Sequence, residues 1–268
     1  MNHVMLDCYG ANTTLLENLK YINKVMNEIP YVLGITPVNP PTLIPYYYGK
    51  VKEDDGVSAF VILEGGHLTI HTFPHRKAYF LDIYAAKDID SDKIVEYLKE
   101  NLPYNQDTSI TNDRDRNVEV FDTESKYHPG DDFGPHVLAE IAADKDTTME
   151  DIYDFLEHLV STIGMTPIIR PYVLKSKIKN HRYISGITMI AESHISLHFD
   201  KVNKVIYADI FSCTSFDFSM VIDIFKAFGK VFSYEVVARG TKHYSIIANN
   251  KEDFERVASD IWKKNIES

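Results

Sequence analysis

Residues 56–71, GVSAFVILEGGHLTIH, decide the fold because their pattern returns 127 positions later as residues 183–198, YISGITMIAESHISLH. The alignment needs no gap, and the same offset continues as far as Ala86 and Cys213. Identities are few, but apolar positions match apolar positions, and a His-x-x-x-His pair ends both copies. An internal repeat of this length predicts a chain built from two homologous halves.

The flanking sequence supports two halves. Residues 3–7, HVMLD, resemble residues 136–140, HVLAE, and a helical pattern follows each of them. In the first half, Thr14 and Glu17 have the spacing of a capping box, and in the second half Thr148 precedes the helical pattern.

A segment rich in Asp, Gly and Pro, residues 122–135, is typical of a linker. We place the domain boundary near residue 130, which gives a first domain of residues 1–130 and a second of residues 131–268. The central segments of each half carry the β-branched residues typical of strands. Later helices are expected at residues 91–101, 216–228 and 251–264.

Strands with short connections, accompanied by helices on one face, indicate an α+β fold. We therefore predict that each half is an antiparallel sheet with helices on one face. The two sheets are expected to pack together as a four-layer αββα sandwich, and a duplicated chain predicts a pseudo-two-fold axis between them.

Composition narrows the class of protein. The 268 residues are 44% hydrophobic and 25% charged, which is typical of a globular protein. A net charge of −11 disfavours nucleic acid and membrane partners, whose phosphates are negative. Only Cys8 and Cys213 are present, too few for a disulfide framework. Neither a signal-peptide pattern nor a long apolar run is found, so we expect a cytoplasmic protein.

The two His-x-x-x-His pairs raise the question of a metal site. On a strand, residues four apart lie ~13 Å apart, which is too far for both to bind one zinc ion. We therefore predict no metal. The histidines would instead line one face of each strand, either as hydrogen-bonded structural residues or as part of a functional site.

The differences between the halves are more informative. Ser193 of the second half aligns with Gly66, and Cys213 aligns with Ala86. The first half has thus lost a hydroxyl and a thiol together while keeping its histidines. A duplicated active site in which one copy has decayed explains this pattern.

Residues 192–198, ESHISLH, with Cys213 on the following strand, resemble the pyruvoyl-dependent S-adenosylmethionine decarboxylases. The resemblance implies a zymogen that cuts itself between Glu192 and Ser193 into chains of about 1–192 and 193–268. Ser193 would become a pyruvoyl cofactor, with no metal and no pyridoxal phosphate. Its ketone would form a Schiff base with the substrate amine and act as an electron sink. Cys213 would reprotonate the product; its alternative role is a small core residue.

The resemblance also implies a processing histidine and serine from the opposite half. By position these are His71 and Ser58; the alternative is His198 with Ser185. Glu140 would contact the substrate amine or gate the site, and its alternative role is a carboxylate at a strand edge.

The substrate is left open. Family members often carry, after the histidine, a glutamate that binds the ribose, but His75 occupies that position here. Tyrosines 46–48 would stack on adenine, whereas Asp54 or Asp55 would bind a distal cation unless the acidic run is a solvated turn. S-adenosylmethionine decarboxylation for polyamine (spermidine) synthesis ranks first, and arginine or ornithine decarboxylation is the alternative. A non-catalytic binding paralogue is the third hypothesis. The expected partners are a small amine or amino-acid substrate and the protein's own cleaved chains.

Overall fold

A computed structural model describes residues 1–47, 51–116, 133–177, 180–191, 193–214 and 216–241. Within them the chain forms two antiparallel six-stranded sheets, one in each half. No helix in these ranges is both long and apolar enough to cross a membrane. The cytoplasmic location stays a prediction.

The first sheet has the strand order β2-β3-β4-β5-β1-β6. Its strands are β1 (Asn2–Tyr9), β2 (Thr42–Tyr46), β3 (Gly56–Leu63), β4 (Gly66–Phe73), β5 (Ala78–Tyr84) and β6 (Asn105–Asp115). Its helices are α1 (Thr13–Leu16), α2 (Leu19–Val32) and α3 (Ser91–Asn101).

The second sheet has the order β12-β7-β11-β10-β9-β8, which is the same arrangement strand for strand. Its strands are β7 (Gly134–Ala143), β8 (Tyr172–Lys175), β9 (Tyr183–Ile190), β10 (Ser193–Asp200), β11 (Val205–Ser212) and β12 (Gly229–Arg239). Its helices are α4 (Met149–Thr162) and α5 (Phe218–Phe225). Strands β9 and β10 begin and end 127 residues after β3 and β4, so the predicted repeat is confirmed.

Alternation along each strand creates the layers. On β4, Leu68 and Ile70 join the core formed with α2, whereas His67, Thr69 and His71 face the other sheet. The sheets meet through apolar contacts, among them Met5, Leu138 and Val237 in one cluster and Phe60, Ile62, Ile187 and Met189 in another. The predicted α+β fold, an αββα sandwich of two homologous halves, is confirmed.

Of the two helix starts predicted from capping patterns, one is confirmed and one is wrong. Thr148 caps α4 as predicted and forms a capping box with Asp151. The capping box of Thr14 and Glu17 is wrong, because the amide oxygen of Asn12 caps α1 at Thr14. A second cap at Asn18 then starts α2. Asparagine is as good a cap as threonine, and here it lies at the turn itself.

The bounds of the later helices agree with the prediction only in part. Helix α3 has the predicted bounds of residues 91–101. Helix α5 begins two residues after the predicted start of residues 216–228, because Asp217 caps it, and it ends earlier, at Phe225. The expected helix at residues 251–264 lies outside the described residues. So does the boundary near residue 130, and the two domain ranges therefore stay a prediction.

Candidate active site

A cavity at the junction of the two halves brings together residues that are far apart in sequence. The first half contributes Ser58 and His71 to its lining, and the second half contributes Ser193 and Cys213. Four of the residues predicted from the sequence therefore share one cavity. Tyr46, Phe73, Phe133 and Asp54 also line it.

The strand pairing places these four side chains. Ser58 of β3 lies directly opposite His71 of β4, and the Ser58 hydroxyl is 2.9 Å from His71 Nδ1. Ser193 begins β10 opposite Ser212 of β11, so Cys213 follows at the end of the neighbouring strand. A hydroxyl, an imidazole, a second hydroxyl and a thiol thus converge from two sheets.

The backbone at Ser193 is unusual. Its φ of 150° lies in a region that residues with a side chain rarely adopt, at a typical cost of about 1–3 kcal/mol. Ser193 is nearly buried, at 4% exposure. Glu192, the predicted residue before the cleaved bond, lies outside the described residues. Strain at a serine in a cavity is a reason to suspect function.

The counterpart of Ser193 in the first half cannot take its place. A Cβ added at Gly66 would lie 1.9 Å from the carbonyl oxygen of Tyr84. The first half therefore lacks the serine and also the space for one, which agrees with a decayed copy of the site.

The alternative processing pair has the same local geometry but a different location. Ser185 and His198 also pair across two strands, with 2.8 Å between the hydroxyl and His198 Nδ1. The other nitrogen of His198 is 2.9 Å from His67 Nδ1, and both rings are buried. Neither Ser185 nor His198 lines the cavity.

Of the three acidic residues predicted to bind the substrate, only one lines the cavity. Asp54 lines the cavity, and its carboxylate is 2.6 Å from Arg76 Nε. Asp55 is buried and is not part of the lining. Glu140 is also outside the lining, because it forms an ion pair with the buried Arg116.

The residues considered for binding the adenosyl group also do not all line the cavity. Tyr46 lines the cavity, whereas Tyr47 is 42% exposed and Tyr48 lies outside the described residues. His75 is exposed on a short 3-10 helix, Pro74–Arg76, and does not line the cavity.

Burial sets the protonation of the histidines. Desolvation, reinforced by the neighbouring His194, holds the pKa of His71 well below its ordinary value. Desolvation also lowers the pKa of His67 to about 4 and holds that of His198 well below its ordinary value. His71 is therefore neutral near pH 7 and able to accept a proton from a hydroxyl.

Two sets of three donor atoms lie within 4.8 Å of one another and resemble metal ligands: His67, His198 and Asp209, and His136, His194 and Asp209. In the first set the Ser196 hydroxyl fills the space, 3.2 Å from His67 and 3.1 Å from His198. In the second set the cation Arg239 lies 3.0 Å from His136 and opposes a metal dication. We interpret both as hydrogen-bonded clusters, and the lack of a metal stays a prediction.

Sequence reasoning missed several residues around this cavity. Phe73 and Phe133 are apolar residues that local patterns do not separate from the core. His194 and Asp209 are buried behind the cavity and approach His71 only once the two sheets pack. The one available signal was that polar residues alternate with apolar ones on β10 and β11.

When this chain is compared with known protein families, the profile of one family matches both of its halves. The sequence profile described as S-adenosylmethionine decarboxylase matches residues 2–115 and again residues 135–240. A protein of Clostridium botulinum (strain Loch Maree / Type A3) named S-adenosylmethionine decarboxylase proenzyme is 35% identical over 101 residues, which is 37% of this chain and 81% of the relative. A Thermosipho melanesiensis protein of the same name is 34% identical over 103 residues, 37% of this chain and 72% of the relative. Each of these relatives is therefore about half as long as this chain.

Proposed function

Because this chain belongs to the S-adenosylmethionine decarboxylase family, we propose that it is a self-cleaving proenzyme whose Ser193 becomes a pyruvoyl group. The processed protein decarboxylates S-adenosylmethionine, the reaction that supplies the aminopropyl group for spermidine. Its small-molecule partner is this substrate, and its macromolecular partners are its own two chains.

One observation carries the proposal: Ser193 and Cys213 of the second half share a cavity with Ser58 and His71 of the first. A nucleophile, a base within hydrogen-bond reach of a hydroxyl, and a separate proton donor are the groups that the reaction needs. The unusual φ of Ser193 adds ground-state strain next to the bond to be cut.

Self-cleavage is a rearrangement of the chain itself. The Ser193 hydroxyl oxygen attacks the carbonyl carbon of Glu192, the peptide C–N bond breaks, and an ester replaces the amide. Loss of the Ser193 α-proton then breaks the Cβ–O bond and releases Glu192 as a carboxylate. Water replaces the nitrogen, which leaves as ammonia, and a pyruvoyl group begins the smaller chain.

Within this scheme Ser58 and His71 handle protons. The Ser58 hydroxyl is 2.9 Å from His71 Nδ1, and the lowered pKa of His71 keeps the ring neutral and available as an acceptor. When formed, the pyruvoyl ketone supplies the electron sink for decarboxylation. Cys213 holds at Sγ the proton that the product carbon requires.

The surroundings of Asp54 favour S-adenosylmethionine over arginine. The Asp54 carboxylate already pairs with the guanidinium of Arg76, so it is a weaker anchor for a substrate guanidinium. The rings of Tyr46, Phe73 and Phe133 supply flat apolar surface suited to an adenine ring. Both relatives described above are also named for S-adenosylmethionine.

The test is intact mass followed by release of labelled carbon dioxide. Purified protein should give chains of 192 and 76 residues, the smaller one blocked to Edman sequencing. It should then release carbon dioxide from S-adenosylmethionine and not from arginine or ornithine. A fully active uncut chain would refute the pyruvoyl mechanism; release from arginine or ornithine alone would support the alternative. Cleavage without turnover on any of the three would favour the non-catalytic paralogue.

The pseudo-two-fold supplies matched controls for the processing pair. His71→Ala and Ser58→Ala should slow cleavage, whereas His198→Ala and Ser185→Ala remove the equivalent pair on the far side and should have smaller effects. A block caused by His198→Ala alone would move the processing machinery into the second half.

A further inference from the structure

Behind the cavity, a line of buried polar groups in close contact runs from Ser58 into the second sheet. His71 Nε2 is 2.9 Å from His194 Nδ1, and His194 Nε2 is 3.2 Å from Asp209 Oδ2. All three of these side chains are at most 3% exposed. The imidazole next to the cavity is therefore backed by a second imidazole and a carboxylate from the opposite half.

A permanently charged side chain fixes the proton of His136, which also contacts the Asp209 carboxylate. Arg239 can only donate, and its Nη1 lies 3.0 Å from His136 Nδ1, so that nitrogen must be an acceptor. Burial lowers the pKa of His136, which keeps its ring neutral and places its proton on Nε2. That proton points at Asp209 Oδ2, 3.3 Å away.

Asp209 then determines the tautomer of His194. Burial alone would raise the Asp209 pKa, but His67, His136 and His194 around it hold that pKa well below its ordinary value. The carboxylate is therefore ionised. A lone pair on His194 Nε2 would face this anion at 3.2 Å, whereas a proton there is attracted to it. In the neutral His194 ring the proton therefore lies on Nε2, and Nδ1 accepts.

The same argument determines the tautomer of His71. Because His194 Nδ1 accepts, His71 Nε2 must donate across their 2.9 Å contact. The neutral ring then has its lone pair on Nδ1, which faces the Ser58 hydroxyl at 2.9 Å. Resting on the function proposed above, we infer that His194 and Asp209 are positioning residues that hold His71 as a base toward Ser58 and the cavity.

The line also supports the charge that forms when His71 acts. A proton taken up at Nδ1 makes His71 cationic. Its Nε2–H then donates a stronger, charge-assisted hydrogen bond to His194. The Asp209 carboxylate at the end of the line stabilises that charge. A base held in one tautomer by a buried carboxylate is worth several orders of magnitude in other enzymes, on the order of 10⁴ in rate where the tautomer is lost.

A second line related by the pseudo-two-fold provides the control. His198 Nε2 is 2.9 Å from His67 Nδ1, and His198 Nδ1 is 2.8 Å from Ser185. His198 is buried, as His194 is. That line ends away from the cavity, so a similar loss of packing at His198 should not reach Ser193.

The experiment compares two ring-for-ring substitutions. His194→Phe should slow self-cleavage at least tenfold, and on the order of 10²-fold, because His71 loses its hydrogen-bond partner. His198→Phe should change the rate less than threefold. Equal slowing in both variants would make the histidines structural and overturn the inference.

A direct readout does not depend on activity. In uncleaved Ser193→Ala protein, the ¹⁵N NMR chemical shifts of the imidazole rings should show that His71 is protonated at Nε2 and unprotonated at Nδ1. The opposite tautomer would overturn the inference with the proposed function intact. Failure of the wild-type chain to cleave at all would instead count against the proposed function, whichever tautomer the spectra show.

A variant of the carboxylate completes the test. Asp209→Asn removes the charge and should slow cleavage at least tenfold, whereas Asp82→Asn, at the equivalent position of the first sheet, should slow it less than Asp209→Asn does. Asp82 is equally buried but binds Arg239 at 2.5 Å. A larger effect at Asp82 than at Asp209 would contradict the assigned direction of the line.

Discussion

Acid should unfold this protein unusually early, because its interior holds histidines that must stay neutral. Desolvation holds the pKa of His3, His71 and His198 well below the ordinary value and lowers that of His67 to about 4. In the unfolded chain each returns to about 6.5. Between these values the unfolded state binds more protons, so stability is present above pH ~6.5 and is lost as the pH falls.

The size of the effect follows from linkage. One histidine that protonates only on unfolding costs about 2 kcal/mol of stability between pH 7 and pH 5. Four such residues remove about 8 kcal/mol, which is comparable with the whole stability of a typical domain, about 5–15 kcal/mol. The histidines around Asp209 hold its pKa well below the ordinary value, so its contribution is lost only at lower pH.

The assay is urea unfolding of uncleaved Ser193→Ala protein, followed by near-ultraviolet circular dichroism from pH 7 to pH 5. The slope between pH 6 and pH 5 should approach ~5 kcal/mol per pH unit, which corresponds to about four protons. Replacing His3 by Asn should lower the uptake by about one proton. An uptake below one proton would refute the account of a neutral histidine layer.

Two further predictions concern the processed enzyme. Cys213→Ala should leave self-cleavage largely intact but lower kcat by at least tenfold, since the thiol is assigned to reprotonation; a wild-type kcat would remove that role. Asp54→Asn combined with Asp55→Asn should leave S-adenosylmethionine turnover within about threefold, because Asp54 already pairs with Arg76. A sharp rise in the Michaelis constant for arginine or ornithine would support the alternative substrate, and a collapse on S-adenosylmethionine would contradict our assignment of Asp54.

The fold was predictable because the repeat carries its own internal check. The same apolar and β-branched positions recur at one offset, so the sequence alone aligns strands β3 and β4 with β9 and β10. Helix α1 was harder, because the Thr14 and Glu17 pattern fits a capping box that Asn12 pre-empts. Local patterns rank possible caps, whereas the turn geometry selects one of them.

The site was predictable in part for the same reason. Aligning the halves identified Ser193 and Cys213 as positions where one copy keeps chemistry and the other does not. The contacts of His194 and Asp209 with groups of the first half could not be predicted, because the packing of two sheets depends on every side chain between them. The ion pair of Glu140 was equally hidden, because its partner Arg116 follows the end of β6 and meets it only across that interface.

Glu140 has a further consequence for the asymmetry of the two halves. By strand pairing it corresponds to Asp7, and its partner Arg116 corresponds to Arg239. Arg239 binds both Asp7 and Asp82, whereas Arg116 binds Glu140, His3 and the backbone carbonyls of Ala139 and Ala208. Glu140 is one methylene longer than Asp7 and pairs with Arg116, while histidines and Ser196 contact the Asp209 carboxylate.

Glu140→Asp tests whether this single methylene decides which half works. The shorter acid should release Arg116 toward Asp209, as Arg239 binds Asp82, and the neutralised carboxylate would support His71 less. Self-cleavage should then slow by at least tenfold, while Asp7→Glu on the opposite side should slow it less than threefold. A role for Glu140 in substrate binding alone predicts something different: normal cleavage and a raised Michaelis constant in the processed enzyme. Cleavage at the wild-type rate in Glu140→Asp would therefore separate Glu140 from the line that ends at His71.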